Sequence, residues 1–157
     1  MKKIILAVLA IALFVPATMA ATTSDVTTTI KQFIDAFNAG DEKAVSASYA
    51  SGDIVIVDEF APHIWTGPQA PQDWASDYDK HAQANGVSNS SVKYGAPTRT
   101  EVEGDKAYVV IPTVYDYKEH GKAITEEGQM TFVLRTEKDA WKIVSWTWTG
   151  VKPHPAK

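Results

Sequence analysis

Residues 106–118, K-A-Y-V-V-I-P-T-V-Y-D-Y-K, residues 123–136, A-I-T-E-E-G-Q-M-T-F-V-L-R-T, and residues 141–149, W-K-I-V-S-W-T-W-T, decide the fold. All three are rich in β-branched and aromatic side chains, the composition of a pleated, half-buried surface. Hairpin signals separate them: Gly104-Asp105 before the first, His120-Gly121 before the second, and Glu137-Lys138-Asp139 before the third. With an earlier segment, 92–103, they predict a meander of four strands, joined to what precedes it by the polar stretch Ser88 to Ser91.

The chain before this meander has a different period. Val26, Ile30, Phe33, Ile34 and Phe37 recur on one face of an amphipathic helix that Gly40 ends. Asp41 is placed to cap a second, shorter helix running to about Tyr49. The run Ile54 to Val57 reads as a strand buried on both faces, and a Pro- and Gly-marked bend follows from Pro62 to Pro71. Residues 72–85 form a third helix with Trp74, Tyr78 and Ala82 on one stripe. Helices first and strands second predict an α+β fold with the helices on one face of a mostly antiparallel sheet.

The first 20 residues stand apart. Lys2 and Lys3 precede an unbroken apolar run from Ile4 to Val15, Pro16 breaks it, and Thr18-Met19-Ala20 offers the small residues of a cleavage site. The run is shorter than the roughly 20 residues that span a bilayer. The expectation is a signal peptide cleaved after Ala20, a domain over 21–150, and a loose tail over 151–157 that contains Pro153 and Pro155. The product is expected in the periplasm or outside the cell, with no stable membrane insertion after cleavage.

The net charge of −4 becomes more negative once the two signal lysines are lost, and such a surface repels nucleic acid. The absence of cysteine excludes disulfides, a thiol nucleophile and thiolate metal sites. His63, His81, His120 and His154 show no ligand spacing, so neither metal nor cofactor is expected. Asp77 and His81, one helical turn apart, read as a surface pair, and Glu126-Glu127 as an exposed bulge or strand edge.

Alternation sorts the strands into faces. Ile111, Thr113, Tyr115 and Tyr117 share one face; Met130, Phe132 and Leu134 share another; Val144, Trp146 and Trp148 stand opposite Ile143, Ser145 and Thr147. Phased with Phe33, Phe37, Trp74 and Tyr78 from the helices, these rings exceed what a plain core needs. Their phenol and indole groups want polar partners that a partly hydrated pocket supplies. The expected pocket is lined by Phe33, Phe37, His63, Trp74, Tyr78, Thr113, Tyr115, Tyr117, Met130, Phe132, Trp146 and Trp148. Asp58 shares the phase of Ile54, Ile56 and Phe60 and is the candidate general base, its carboxyl facing apolar surroundings. Glu59 points the other way in a regular strand, although a bend would bring it in.

Three stretches resemble a known family. I-K-Q-F-I-D-A-F-N-A-G-D, from Ile30 to Asp41, and W-K-I-V-S-W-T-W-T-G, from Trp141 to Gly150, resemble the first helix and final strand of the nuclear-transport-factor-2-like superfamily. V-D-E-F-A-P-H-I-W-T-G, from Val57 to Gly67, is similar to exported SnoaL-like bacterial proteins of unassigned function. The resemblance implies a cone, a curved sheet wrapped around helices with a pocket in its mouth, and sheet-to-sheet homodimers.

Compared with ketosteroid isomerase in that superfamily, Asp58 falls on the base position, whereas Phe33 and Met130 fall on the two oxyanion-donor positions. Neither can donate a hydrogen bond. Losing one such donor costs about 10²–10³ in rate, so steroid isomerisation is not expected. Small-molecule binding is the leading expectation, with an apolar or aromatic ligand. A metal-independent isomerase, dehydratase or cyclase using Asp58, with Tyr115 or His63 as donor, is the alternative, and a dimeric interaction module without ligand is the third.

Overall fold

The computed structural model describes residues 23–156; the expected signal peptide lies outside them. The elements run in the order α1 (Thr23–Ala39), α2 (Glu42–Ser48), β1 (Ile54–Val57), β2 (Ile64–Gly67), α3 (Ala70–Ala84), β3 (Val87–Tyr94), β4 (Arg99–Glu103), β5 (Lys106–Glu119), β6 (Lys122–Glu137), β7 (Ala140–Gly150) and β8 (His154–Pro155). Among the described residues no helix is long and apolar enough to cross a membrane.

The eight strands of the described residues belong to one sheet, ordered β2-β1-β7-β6-β5-β3, with β4 also on β5 and β8 also on β6. Only β1 and β7 run parallel; every other strand pair is antiparallel. The long strands β5 and β6 form the spine. β3 and β4 follow one another along the outer edge of β5, and β7 and β8 along that of β6.

α1 forms because its apolar residues keep one stripe: Val26, Ile30, Phe33 and Ile34 are all buried. Gly40, with φ of 67°, ends it. Asp41 caps α2 by accepting from the Ala44 amide at 3.0 Å. α1 lies over β3, β4 and β7, and α3 over β1, β2 and β3, so the helices fill one side of the sheet. The core beneath them joins Ile30 and Ile34 to Ile54, Ile56, Val109, Ile111, Phe132, Leu134 and Ile143.

Several elements depart from the sequence reading. The segment expected as one strand over 92–103 is two: β3 begins at Val87, absorbing the polar stretch Ser88 to Ser91, and the chain bends at Gly95–Thr98 before β4. β1 is buried on one face only, Ile54 and Ile56 being enclosed while Val55 is 36% exposed. The bend after it contains the short strand β2, which pairs with β1 from Val57↔Ile64 to Ile54↔Gly67. The residues after Gly150 do not form a loose tail. The Val151 amide donates to the Glu127 carbonyl, and β8 pairs with β6 at Ile124 and Thr125.

β7 carries a bulge. Leu134 pairs with Ile143 but Val133 pairs with Ser145, so Val144 is an extra residue on β7. Trp141 and Ile143 therefore face inward before it, and Trp146 and Trp148 after it. The expected grouping of Val144 with Trp146 and Trp148 fails at this point, because uniform alternation assumes no insertion.

Candidate functional site

Between the helices and the concave face lies a cavity of about 380 Å³. That is within the size range of pockets that take small organic molecules. Its walls come from α1 (Phe33, Phe37), α3 (Trp74, Tyr78, His81), the bend after β1 (Asp58, Glu59, Phe60) and strands β5, β6 and β7.

The rings hold one another in place. Trp74 stacks on Tyr78 with centroids 5.4 Å apart and meets Trp146 edge-on at 5.1 Å. Tyr115 stacks on Tyr117 at 4.8 Å. Such pairs are worth about 0.5–1.5 kcal/mol each beyond burial. Their polar ends are mostly satisfied. The Tyr78 and Tyr115 hydroxyls lie 2.7 Å apart, and Tyr78 also donates to Ser90 at 3.1 Å. Trp146 donates to the Tyr49 hydroxyl at 2.8 Å. Burial pushes the phenols of Tyr49, Tyr115 and Tyr117 well above their ordinary value, so all three stay neutral donors.

Asp58 stands at the end of β1 and lines the cavity. Its Oδ2 accepts from the Trp74 indole at 2.9 Å and its Oδ1 from the Glu59 amide at 2.7 Å. Burial outweighs these two bonds and pushes its carboxyl up to about 6. Glu59, at the mouth with part of its surface in solvent, also lines the cavity because β1 ends at Val57 and the chain bends. Its carboxyl is pushed up to about 8, first by desolvation and then by the facing Glu126 carboxyl; the Trp148 indole and His81 oppose the shift.

Glu126 is the unexpected member. It is 2% exposed, which overturns its reading as an exposed bulge, whereas its neighbour Glu127 is exposed and meets His154 at 2.7 Å. Glu126 Oε1 accepts from the Tyr117 hydroxyl at 3.0 Å. The Glu59 carboxyl meets both the Glu126 carboxyl and the Trp148 indole at this spot. The signal for Glu126 was present in the sequence: it shares the parity of Met130, Phe132 and Leu134.

Of the side chains named from the sequence, Phe33, Phe37, Asp58, Trp74, Tyr78, Tyr115, Tyr117, Met130, Trp146 and Trp148 line the cavity. Three do not. His63 occupies the β1–β2 turn with φ of 72°, is exposed, and places Nδ1 3.4 Å from the Asp58 carbonyl. Phe132 is fully buried in the core below the cavity, edge-on to Phe33 at 6.0 Å. Thr113 is buried in the sheet opposite Gly128 and Tyr94. Asp77 and His81 do not pair: Asp77 accepts from Trp65 at 3.0 Å and from Lys80 at 2.9 Å, while His81 packs on Phe60 at the cavity wall. Among the described residues no three His, Asp or Glu side chains gather to hold a metal ion.

A helix-filled, strongly curved sheet with a pocket between the two is the nuclear-transport-factor-2-like architecture. Within it, residues 26–148 match the SnoaL-like domain, and the chain belongs to that family. None of the curated proteins matches the sequence. Among solved structures, a ketosteroid isomerase-like protein from Erwinia carotovora atroseptica superposes with a TM-score of 0.65 at 18% identity, over 83% of this chain and 97% of that one. A hexachlorocyclohexane dehydrochlorinase from Novosphingobium barchaimii gives 0.70 at 12% identity, over 85% and 88%. An NTF-2-like protein of unknown function from Shewanella oneidensis gives 0.57 at 19%, over 80% and 97%. At these identities the likeness is one of fold.

Proposed function

We propose that the protein is an exported binder of a small, largely apolar ring molecule, held in the cavity between α1, α3 and the sheet. The observation that carries this reading is a cavity of about 380 Å³ walled by mutually packed aromatic rings. Burying about 200 Å² of apolar ligand surface contributes roughly 5 kcal/mol before the costs of association. Stacking on Trp74 or Trp148 adds about 1 kcal/mol each. Micromolar affinity follows. Export is part of the proposal and is supported by the basic start and short apolar run of residues 1–20.

Calorimetric titration of the mature chain with 2-naphthalenemethanol tests it. The expected dissociation constant is in the micromolar range, weakened about tenfold or more by Trp74→Ala, which removes one ring wall. Absence of binding at millimolar ligand would end the proposal.

A second reading is favoured by Asp58. A largely enclosed carboxyl pushed up to about 6, among the aromatic rings of the cavity, is ionised yet basic at neutral pH and suited to abstract a proton from carbon. The neutral Tyr115 phenol, among the wall residues, supplies a donor for the developing negative charge. The dehydrochlorinase and the ketosteroid isomerase-like protein share this fold with the chain. The outcome that supports catalysis is solvent deuterium entering an activated cyclic ketone faster with the wild type than with Asp58→Asn. Equal exchange with both proteins leaves binding alone.

A further inference from the structure

The charges around the cavity are of one sign. Among the described residues Asp58, Glu59, Glu119 and Glu126 all line it, and no lysine or arginine does. His81, on α3, is the only basic side chain in the wall among the described residues. An anionic ligand would meet four carboxyl groups and no permanent cation. A neutral apolar ligand would leave the facing carboxyls of Glu59 and Glu126 as a like-charge pair that must hold a proton, whereas a cation can use both in ionised form.

We propose that the cavity is built for an organic cation, an aromatic or alicyclic amine whose ammonium group sits between Glu59 and Glu126 while its ring lies among the tryptophans. This rests on the binding reading above and names its ligand class. Glu126 is 2% exposed, is held through Oε1 by the Tyr117 hydroxyl, and lines the cavity. Glu59 reaches the same spot from the bend after β1, close enough for the two carboxyls to interact.

An ammonium carries three donors and no acceptor, which matches two carboxyls with unused lone pairs. The stacked Tyr115 and Tyr117 and the Trp148 indole stand beside these carboxyls, so ring faces are at hand for a cation as well. Desolvating an ammonium is tolerated where charged acceptors replace its water and aromatic faces surround it.

The groups that face this spot come from every wall. Tyr117 and Glu119 project from β5, Glu126 from β6, Trp148 from β7, His81 from α3, and Asp58 and Glu59 from the bend after β1. At neutral pH Glu59, pushed up to about 8, retains its proton in the empty cavity. An ammonium arriving beside it favours the ionised form, so the ligand and that proton compete. Amine binding therefore weakens as pH falls from 8 toward 6, the interval over which the proton is held more firmly.

The test compares two ligands with one ring and nearly one shape, 2-naphthylmethylamine and 2-naphthalenemethanol, by calorimetry at pH 7.5. The amine is expected to bind at least tenfold more tightly than the alcohol. Glu126→Gln, which keeps an acceptor for Tyr117, and Glu59→Gln, at the exposed rim, should each reduce that preference to less than threefold. Equal or weaker binding of the amine overturns the proposal while leaving the binding reading intact. A preference that survives both substitutions also overturns it, since the cation would then be read elsewhere. If neither ligand binds, both readings fall together.

Discussion

Phe132→Ala lowers the stability of the fold by about 3–5 kcal/mol, the range for truncating a fully enclosed phenylalanine. Phe132 sits mid-strand on β6, paired with Val109 of β5 and Trp146 of β7, and none of its surface reaches solvent. Its ring meets Phe33 of α1 edge-on at 6.0 Å, so it joins the first helix to the sheet. Sheet backbone on both sides resists collapse into the gap, which keeps the cost near the upper end of the range. For a domain of this size the loss corresponds to a midpoint roughly 10–20 °C lower in thermal unfolding. A loss under about 1 kcal/mol in urea titration would mean that Phe132 is not a keystone of the core.

The second large effect is a stability that falls as pH rises. Asp58 and Glu59 both have folded values above their unfolded ones, about 6 against 3.8 and about 8 against 4.5. Between those limits the native chain binds more protons than the unfolded chain, so raising the pH favours unfolding. For Asp58 the shift corresponds to about 2–3 kcal/mol, present below pH 4 and lost as pH rises through 6. Glu59 extends the decline toward pH 8 in the same direction, by less than its shift implies because solvent screens it.

Asp77, Asp116 and Glu137 have the opposite sign. Their carboxyls are held low, chiefly by Lys80, Lys93 and Arg135, and their contribution disappears only as pH falls below about 4.5. Maximum stability near pH 5 follows. Urea unfolding at pH 5 and pH 8.5 checks it, and Asp58→Asn should be more stable than the wild type at the higher pH. A wild type equally stable at both would show that the Asp58 carboxyl is solvated.

Much of this architecture is legible in the chain because local signals and tertiary needs agree. The stripe from Val26 to Phe37 makes α1, the Asp41 cap starts α2, and the turns at Gly104, His120 and Lys138 divide the meander. The failures have identifiable causes. β2 is four residues long, flanked by Pro62 and Pro68, and takes its hydrogen bonds from β1, which no local pattern encodes. The register shift that makes Val144 an extra residue depends on what β6 offers across the ladder, so alternation along β7 alone misplaced Val144.

The site was legible where side chains follow strand or helix phase, as Trp74, Tyr115 and Trp146 do. Glu126 shows the limit of reading by residue type. Its position in the β6 alternation pointed inward, but a glutamate in an apolar interior is costly enough that its charge argued for the surface. Tyr117 offsets part of that cost in a way the sequence does not announce.

The extra residue on β7 divides one strand into two economies. Upstream of Val144, Trp141 and Ile143 answer only to packing, and any change there is felt by the whole fold. Downstream, Trp146 serves both the core and the cavity wall, and Trp148, the less buried of the two, lines the cavity where a different ring changes its shape with least disturbance to the layer below. Substitutions toward the Gly150 end of the strand thus alter the cavity while those toward the Ala140 end alter the scaffold.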